Sequence, residues 1–291
     1  MTRPIVVGVD GSSGALVAAH YAAAVAERHG APLILIHVFE TLFYGYGPLA
    51  VAGSYAGADD RLREAAEHML AHAVDAIGTA HLAVKIDSRT ETGVAAERLI
   101  DESQDALMTV VGSRGMGGFA SLMLGSVSAQ VATYGHGPVV VVRPPADPDG
   151  PVLVGFDGSE GADAALQFAV QEALSRKVPL VVANVYWEEP WGFHQPPAAD
   201  PVVIARHRAE RMITDALELP LEEHPELQYE IRIIHSLNPE HSLVAESAHA
   251  GLTVVGCRGR GGFAGLLLGS VSRTLIHHAA GPVAVIHPTD Q

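Results

Sequence analysis

The chain has 291 residues, enough for two ordinary domains that each bury a hydrophobic core. Its 18 basic and 33 acidic residues give a net charge of −15, which argues against a nucleic-acid partner because phosphate backbones attract proteins of the opposite charge. The single cysteine, Cys257, excludes an internal disulfide and a cysteine-rich zinc site. The sequence has no signal-peptide pattern and no apolar run of about 18 residues, so we expect a cytoplasmic protein without a membrane partner.

The first half alternates predicted strands and helices. A short apolar run at residues 5–9 ends at Asp10-Gly11-Ser12, and an alanine-rich segment with helical spacing follows. The same patterns predict strands at 5–9, 33–39, 83–89, 107–111 and 139–142, and helices at 15–29, 59–77, 94–103 and 126–134. The segment 40–57 is rich in Gly, Tyr and Ala without a clear period, and we interpret it as a mobile loop.

The second half repeats this order. Strands are predicted at 152–156, 180–186, 228–235, 252–255 and 283–286, helices at 162–177, 202–219, 242–249 and 270–278, and a loop at 187–200. A Pro-, Gly- and Asp-rich segment at 143–151 separates the halves. We therefore predict two homologous domains, 1–146 and 147–291, each with a parallel sheet covered on both faces. Ligands of such sheets bind beyond the carboxyl ends of the strands, where Asp10 and Gly112 would meet.

One block of sequence is repeated almost unchanged in both halves. Residues 112–128 and 256–272 differ at four of seventeen positions, so thirteen are identical. The spacing G-x2-G-x9-G-S recurs in both copies, which indicates that backbone geometry is under constraint. Glycine allows positive φ and close backbone approach, so that successive amides can hydrogen-bond phosphate oxygens. We call this segment the glycine block and predict a phosphate cradle in each half.

Two features of the glycine block support anion binding, and plainer alternatives stay open. Ser126 and Ser270 would begin the last helix of each half, whose free amides and positive dipole end favour an anion. Arg114 and Arg258 could add charge-assisted contacts. The alternative is a glycine-rich lid that holds no ligand. Asp10 likewise either caps the turn that follows it or contacts a ligand, and one carboxylate can do both.

Each half begins with a predicted strand that is followed by an aspartate, and each half contains the G-x2-G-x9-G-S block. In these features the chain resembles the nucleotide-binding type of universal stress protein in its tandem-domain form. The resemblance covers nearly the whole chain. The resemblance implies an α/β fold with two tandem Rossmann-like (adenine nucleotide alpha hydrolase-like) domains. Each would be a five-stranded parallel sheet of order 3-2-1-4-5 with helices on both faces. The resemblance also implies one ATP per domain, with Mg2+ as a candidate companion, and a role in adaptation to stress such as oxygen limitation.

By this resemblance, an aspartate contacts the nucleoside, a valine backbone binds the adenine edge, a strand glycine lines the floor, and the glycine block holds ribose and phosphates. In the first domain the site residues are Gly8, Asp10, Val38, Gly112, Arg114, Gly115, Gly117, Gly118, Gly125, Ser126 and Val127. In the second they are Gly155, Asp157, Val185, Gly256, Arg258, Gly259, Gly261, Gly262, Gly269, Ser270 and Val271. Both halves keep the motif, so we expect two occupied sites.

Three functions compete. The first is a binding module whose nucleotide state sets conformation or partner choice in a stress response or in growth regulation. The second is a slow ATPase or nucleotide-dependent transferase. Because the chain has no G-x4-G-K-[ST] loop and no Lys, Glu or His repeated near the glycine block, we expect no catalytic residue. The third is a dinucleotide-dependent oxidoreductase, which would need G-x-G-x-x-G after the first strand, where Asp10-Gly11-Ser12 stands instead.

Two local features of the sequence bear on metal binding and on association between chains. The adjacent His277 and His278 do not share a helix face, so we expect no metal site there. The apolar last strands at 139–142 and 283–286 would lie at sheet edges, and exposed apolar edges invite pairing. We therefore expect the two domains to pair through these edges and whole chains to form a homodimer. The sequence names no protein partner.

Overall fold

The computed structural model describes residues 2–40, 58–116, 123–145, 147–189, 200–260 and 267–288. The chain divides into two compact units, one reaching Arg143 and the other running from Pro144 to Pro288. This division lies near the predicted boundary between residues 146 and 147, which remains a prediction. Most of the predicted loops at 40–57 and 187–200 lies outside the described residues.

The first domain is an α/β unit with a five-stranded parallel sheet of order β3-β2-β1-β4-β5. Helix α1 packs beside α2 and helix α3 beside α4, which gives a helical layer on each face of the sheet. The elements are β1 (Ile5–Gly8), α1 (Ser13–His29), β2 (Leu33–Phe39), α2 (Ala58–Ala80), β3 (Ile86–Thr92), α3 (Ala95–Ser103), β4 (Met108–Gly112), α4 (Ser126–Tyr134) and β5 (Pro138–Val142).

The second domain repeats this topology, with strand order β8-β7-β6-β9-β10. Its elements are β6 (Val152–Gly155), α5 (Glu160–Arg176), β7 (Leu180–Tyr186), α6 (Pro201–Glu223), β8 (Tyr229–His235), α7 (Pro239–Glu246), β9 (Leu252–Gly256), α8 (Ser270–His278) and β10 (Val283–Ile286). The α/β class and the 3-2-1-4-5 order predicted for each half are therefore confirmed.

Small residues bring the first helix of each domain close to its sheet. Ala15, Ala18, Ala19 and Ala22 of α1 are at most 5% exposed and form the face of the helix that packs on the strands. Ser12 caps this helix by accepting a hydrogen bond from Ala15 N at 3.1 Å. The alanine-rich spacing read from the sequence thus corresponds to a helix that leaves little room between itself and the strand ends.

Many element boundaries differ from the sequence prediction, by one to four residues. Strand β3 begins at Ile86, three residues later than predicted, because Val84 N bonds His81 O at 3.2 Å in a turn. Helix α7 begins at Pro239, three residues earlier than predicted, and a 3-10 turn over Ser247–His249 follows it. Within the described residues, no helix combines the length and apolar character that crossing a membrane requires.

Candidate functional site

Each domain has a cavity at the carboxyl ends of its parallel strands, where sheets of this type bind ligands. The first cavity measures about 430 Å3 and the second about 480 Å3. The first is lined by the predicted residues Gly8, Asp10, Val38, Gly112, Arg114, Gly115, Gly125, Ser126 and Val127. The second is lined by Gly155, Asp157, Val185, Gly256, Arg258, Gly259, Gly269, Ser270 and Val271. Gly117, Gly118, Gly261 and Gly262 lie outside the described residues.

Asp10 holds the start of the glycine block against the first turn of its domain. Its Oδ1 accepts a hydrogen bond from Ser12 N at 3.0 Å, and its Oδ2 accepts one from Met116 N at 2.7 Å. Asp157 makes the equivalent two bonds in the second domain, at 3.0 and 2.9 Å. The turn-capping role considered for this aspartate is therefore present. A carboxylate has about four acceptor positions, so capacity remains for a ligand hydroxyl.

Gly115 is a glycine because Asp10 occupies the space of a side chain. A Cβ atom built on Gly115 would overlap Asp10 Oδ2, and one built on Gly259 would overlap Asp157 Oδ2. Neither glycine has positive φ, and the positive-φ glycines near the cavities are Gly11 and Gly158. Of the two properties that glycine allows, close backbone approach is thus used at Gly115 and Gly259, and positive φ is not.

Gly112 serves the packing of strand β4 against helix α1. A Cβ atom on Gly112 would lie 2.8 Å from Gly14 O, and a Cβ on Gly14 would lie 2.7 Å from Arg114 O. The carbonyl of Gly112 in turn accepts a hydrogen bond from the buried Ser128 Oγ at 2.6 Å. These contacts fix the floor of the first cavity between a strand end and two helices.

The last helix of each domain presents uncapped amides to the cavity. Gly125 stands before α4 and Gly269 before α8, and neither N-terminus has a side-chain cap among the described residues. The first intrahelical bond of α4 is donated by Ala129 N to Gly125 O at 2.9 Å, so the amides of residues 126–128 have no helical partner. A helix N-terminus of this kind favours an anion.

Arginines add positive charge at both cavities. Arg114 lines the first cavity, and burial together with the charge of Arg114 lowers the pKa of Arg143, which follows strand β5. A guanidinium stays protonated at neutral pH despite such a shift. The second cavity is lined by Arg258, Arg260 and Arg273. The charge that an anion would require is thus present in both domains.

The opposite side of each cavity is apolar. A Cβ atom on Gly8 would lie 2.7 Å from Leu99 Cδ1, so the glycine lets a leucine of helix α3 reach the sheet. Leu243 approaches Gly155 in the same way in the second domain. With Val38 and Val185 at the ends of strands β2 and β7, these leucines provide the apolar walls that a planar base would need.

His37 and Asn184 occupy equivalent positions in the two domains and make equivalent hydrogen bonds. His37 Nδ1 lies 2.8 Å from Val9 O, and Asn184 Nδ2 donates to Phe156 O at 2.7 Å. Each bond ties the second strand of a domain to the segment that follows its first strand. The geometry therefore gives both residues a positioning role.

A family model described as the universal stress protein family matches residues 1–143 and 150–287. The chain belongs to the universal stress protein family. A universal stress protein of Mycolicibacterium smegmatis is 35% identical over 294 residues, covering 98% of this chain and 97% of the relative. One from Mycobacterium tuberculosis is 33% identical over 294 residues, with coverages of 97% and 95%.

The solved structures give the same fold. The crystal structure of a universal stress protein from Archaeoglobus fulgidus has a TM-score of 0.69 and covers 99% of both chains at 21% identity. At that identity the likeness concerns the fold alone. It agrees with two tandem domains of the Rossmann-like type in this universal stress protein.

Sequence reasoning missed several residues of the cavities in this universal stress protein. Ser128 and Ser272 fix the glycine block by hydrogen bonds to Gly112 O and Gly256 O, and their identical places in the repeat were an available signal. Arg273 lines the second cavity and has no counterpart of the same type in the first domain, so the repeat gave no signal for it. It distinguishes the second cavity from the first.

Proposed function

We propose that this chain binds ATP in each of its two domains and acts in the cytoplasm as a nucleotide-dependent module of a stress response or of growth regulation. The observation that carries the proposal is that helices α4 and α8 each begin at a cavity without a side-chain cap. The same cavity is lined by at least one arginine and by the aspartate that holds the glycine block. Helix amides and guanidinium groups together favour phosphate oxygens.

The apolar half of each cavity supports an adenine nucleoside rather than a free phosphate. Leu99, Leu243 and the strand valines provide apolar walls, while Asp10 and Asp157 keep acceptor capacity for a ribose hydroxyl. One cavity therefore offers an apolar part and an anion-binding part, which matches the two ends of a nucleotide.

Binding is favoured over rapid hydrolysis. Among the described residues that line the two cavities, the charged side chains are Asp10, Asp157 and the arginines. Both aspartates are engaged in holding the glycine block, so neither is a free base for activating water. Any hydrolysis should be slow, because phosphoryl transfer requires positioned charge and an oriented nucleophile.

The test is to denature the chain as purified from cells, without added nucleotide, and to identify and quantify the small molecules released. We expect close to two molecules of ATP per chain, with ADP where slow hydrolysis has occurred. Release of no nucleotide, or of a dinucleotide, would contradict the proposal. Light scattering on the same preparation tests the proposed homodimer, which requires twice the mass of one chain.

A further inference from the structure

The two cavities differ in the number of arginines that line them. Arg114 lines the first cavity, whereas Arg258, Arg260 and Arg273 line the second. One aspartate lines each cavity, and its carboxylate is already bonded to the backbone of the glycine block. None of the residues that lie outside the described part of the chain is a lysine or an arginine. The lining of the second cavity therefore has two more guanidinium groups than that of the first.

The two additional arginines stand where the first domain has uncharged residues. The glycine blocks are offset by 256 − 112 = 144 residues, so Arg260 is equivalent to Met116 and Arg273 to Ala129. The backbone is the same in both places, because Met116 N and Arg260 N each donate a hydrogen bond to the Oδ2 atom of the aspartate of their domain. The same cradle thus carries a different charge in each domain.

Within the described residues, neither additional arginine is paired with a carboxylate. Arg260 Nη2 donates to Met212 Sδ at 3.2 Å and to Gly158 O at 3.5 Å, and both acceptors are uncharged. The ion pairs that arginines form in the described part of the second domain involve Arg176, Arg206 and Arg232 instead. The charges of Arg260 and Arg273 are therefore available to a ligand.

The position of Arg273 is unfavourable for its helix unless an anion is bound. Arg273 is the fourth residue of helix α8, and side chains of a helix tilt toward its N-terminus. The positive end of the helix dipole lies there, so a cation at this end destabilises the helix. The first turn of α8 has no acidic residue. A phosphate held between the helix start and the guanidinium group would remove the conflict.

Two further charged residues lie near the cavities without lining them. Glu240 accepts a hydrogen bond from Ser270 Oγ at 2.7 Å, at the start of helix α8. In the first domain, Arg143 lies close enough to Arg114 for the two positive charges to interact. These residues reduce the difference in net charge between the two sites. They leave the difference in donors intact, because a side chain must line the cavity to hydrogen-bond the phosphate oxygens of a ligand.

We propose that Arg260 and Arg273 make the second domain selective for nucleotides with several phosphates, whereas the first domain discriminates little by phosphate number. The proposal rests on the function proposed above. A guanidinium group donates to phosphate oxygens in a planar, bidentate geometry, so each added phosphate finds partners in the second cavity that the first does not offer. The two domains then hold nucleoside monophosphates and triphosphates in different proportions, although their glycine blocks are nearly identical.

The experiment compares the two sites within the full chain by calorimetry. Gly115→Val removes the first site because the added Cβ overlaps Asp10, and Gly259→Val removes the second for the same reason. Adenosine, AMP and ATP are titrated into each background in the presence of EDTA, so the ligands differ in their phosphates alone. We expect the ratio of ATP affinity to AMP affinity to be about 100 times larger at the second site, about tenfold for each arginine.

The double variant Arg260→Met/Arg273→Ala gives the second cavity the residues of the first. In the Gly115→Val background, it should lower the ratio of ATP affinity to AMP affinity to that of the first site. The affinity for adenosine, which has no phosphate, should stay unchanged, whereas a merely structural role of the arginines would lower it as well. Arg208→Ala, an exposed residue of α6 outside the cavity lining, is the matched control.

The reciprocal double variant Met116→Arg/Ala129→Arg transfers the two guanidinium groups to the first cavity. In the Gly259→Val background, it should raise the ratio of ATP affinity to AMP affinity toward that of the second site. Equal ratios in the two single-site backgrounds would overturn the inference, and so would an unchanged ratio in both double variants. If ATP binds in neither background, the proposed function itself fails, and that result does not depend on Arg260 or Arg273.

Discussion

At the residue scale, Asp10 joins two segments that lie far apart in the sequence. Its carboxylate accepts one local bond from Ser12 N and one distant bond from Met116 N. We expect Asp10→Ala to weaken ATP binding at the first site by about tenfold or more, because hydrogen bonds to a charged group contribute about 1.5–3 kcal/mol. The measurement is calorimetry in the Gly259→Val background, where only the first site remains.

Asp87→Ala is the matched control for this substitution. Asp87 is exposed on strand β3, and its Oδ1 accepts a local backbone bond from Ser88 N at 2.9 Å. It should leave ATP binding unchanged. If Asp10→Ala also leaves the affinity unchanged, Asp10 only caps its turn and contributes nothing to the ligand.

The sequence identified the positions of the glycine block but only part of the reason for them. Two copies with equal spacing pointed to a constrained backbone around Gly115 and Gly259. The constraint is the Oδ2 atom of an aspartate more than 100 residues earlier, and this long-range contact leaves no local pattern in the sequence. The same holds for Glu240, whose contact with Ser270 spans 30 residues and occurs in only one half.

At the element scale, helix α5 contains a buried ion pair that α1 lacks. Arg176 Nε lies 2.9 Å from Glu172 Oε2, and the two side chains are 13% and 1% exposed. The N-cap residues Ser12 and Ser159 set an offset of 147, so the first domain has Val25 and His29 at these positions. The two domains thus have different residue types at the same two helix positions, an ion pair in the second domain and a valine and a histidine in the first.

Arg176→Ala should destabilise the second domain by about 3 kcal/mol or more, because removing one partner of a buried ion pair is strongly destabilising. The double variant Glu172→Val/Arg176→His copies the first domain and should stay much closer to the unaltered chain. Urea unfolding followed by tryptophan fluorescence measures this, since Trp187 and Trp191 both belong to the second domain. A loss below about 1 kcal/mol for Arg176→Ala would contradict a structural role for the pair.

Strand and helix identities were readable from the sequence at this scale, but some boundaries were not. The apolar residues Ala83 and Val84 extended the predicted third strand backward, whereas pairing with β2 starts at Leu33 opposite Ile86. Partner strands set the register, and a single segment read alone contains no information about its partner. The buried alanines of α1 were predictable because their spacing is local.

At the scale of the whole molecule, the internal repeat predicts two ligands, and ligand binding is linked to stability. A ligand that binds only the folded state at a concentration of 100 times its Kd adds about 2.7 kcal/mol to the free energy of unfolding. For a domain of this size, that corresponds to a rise in melting temperature of about 8 °C. The rise should appear in each domain whose cavity is intact.

The two tryptophans make the second domain separately observable, so the repeat can be tested one half at a time. Saturating magnesium ATP should raise the fluorescence-monitored melting temperature of the unaltered chain and of Gly115→Val by a similar amount, because the second cavity is intact in both. Gly259→Val should show no rise, since the valine Cβ would occupy the position of Asp157 Oδ2 and release the glycine block. Melting without ligand corrects for any direct effect of the valines on stability. Equal responses of the two variants to ATP would mean that the glycine blocks do not hold the ligand, whatever else the chain binds.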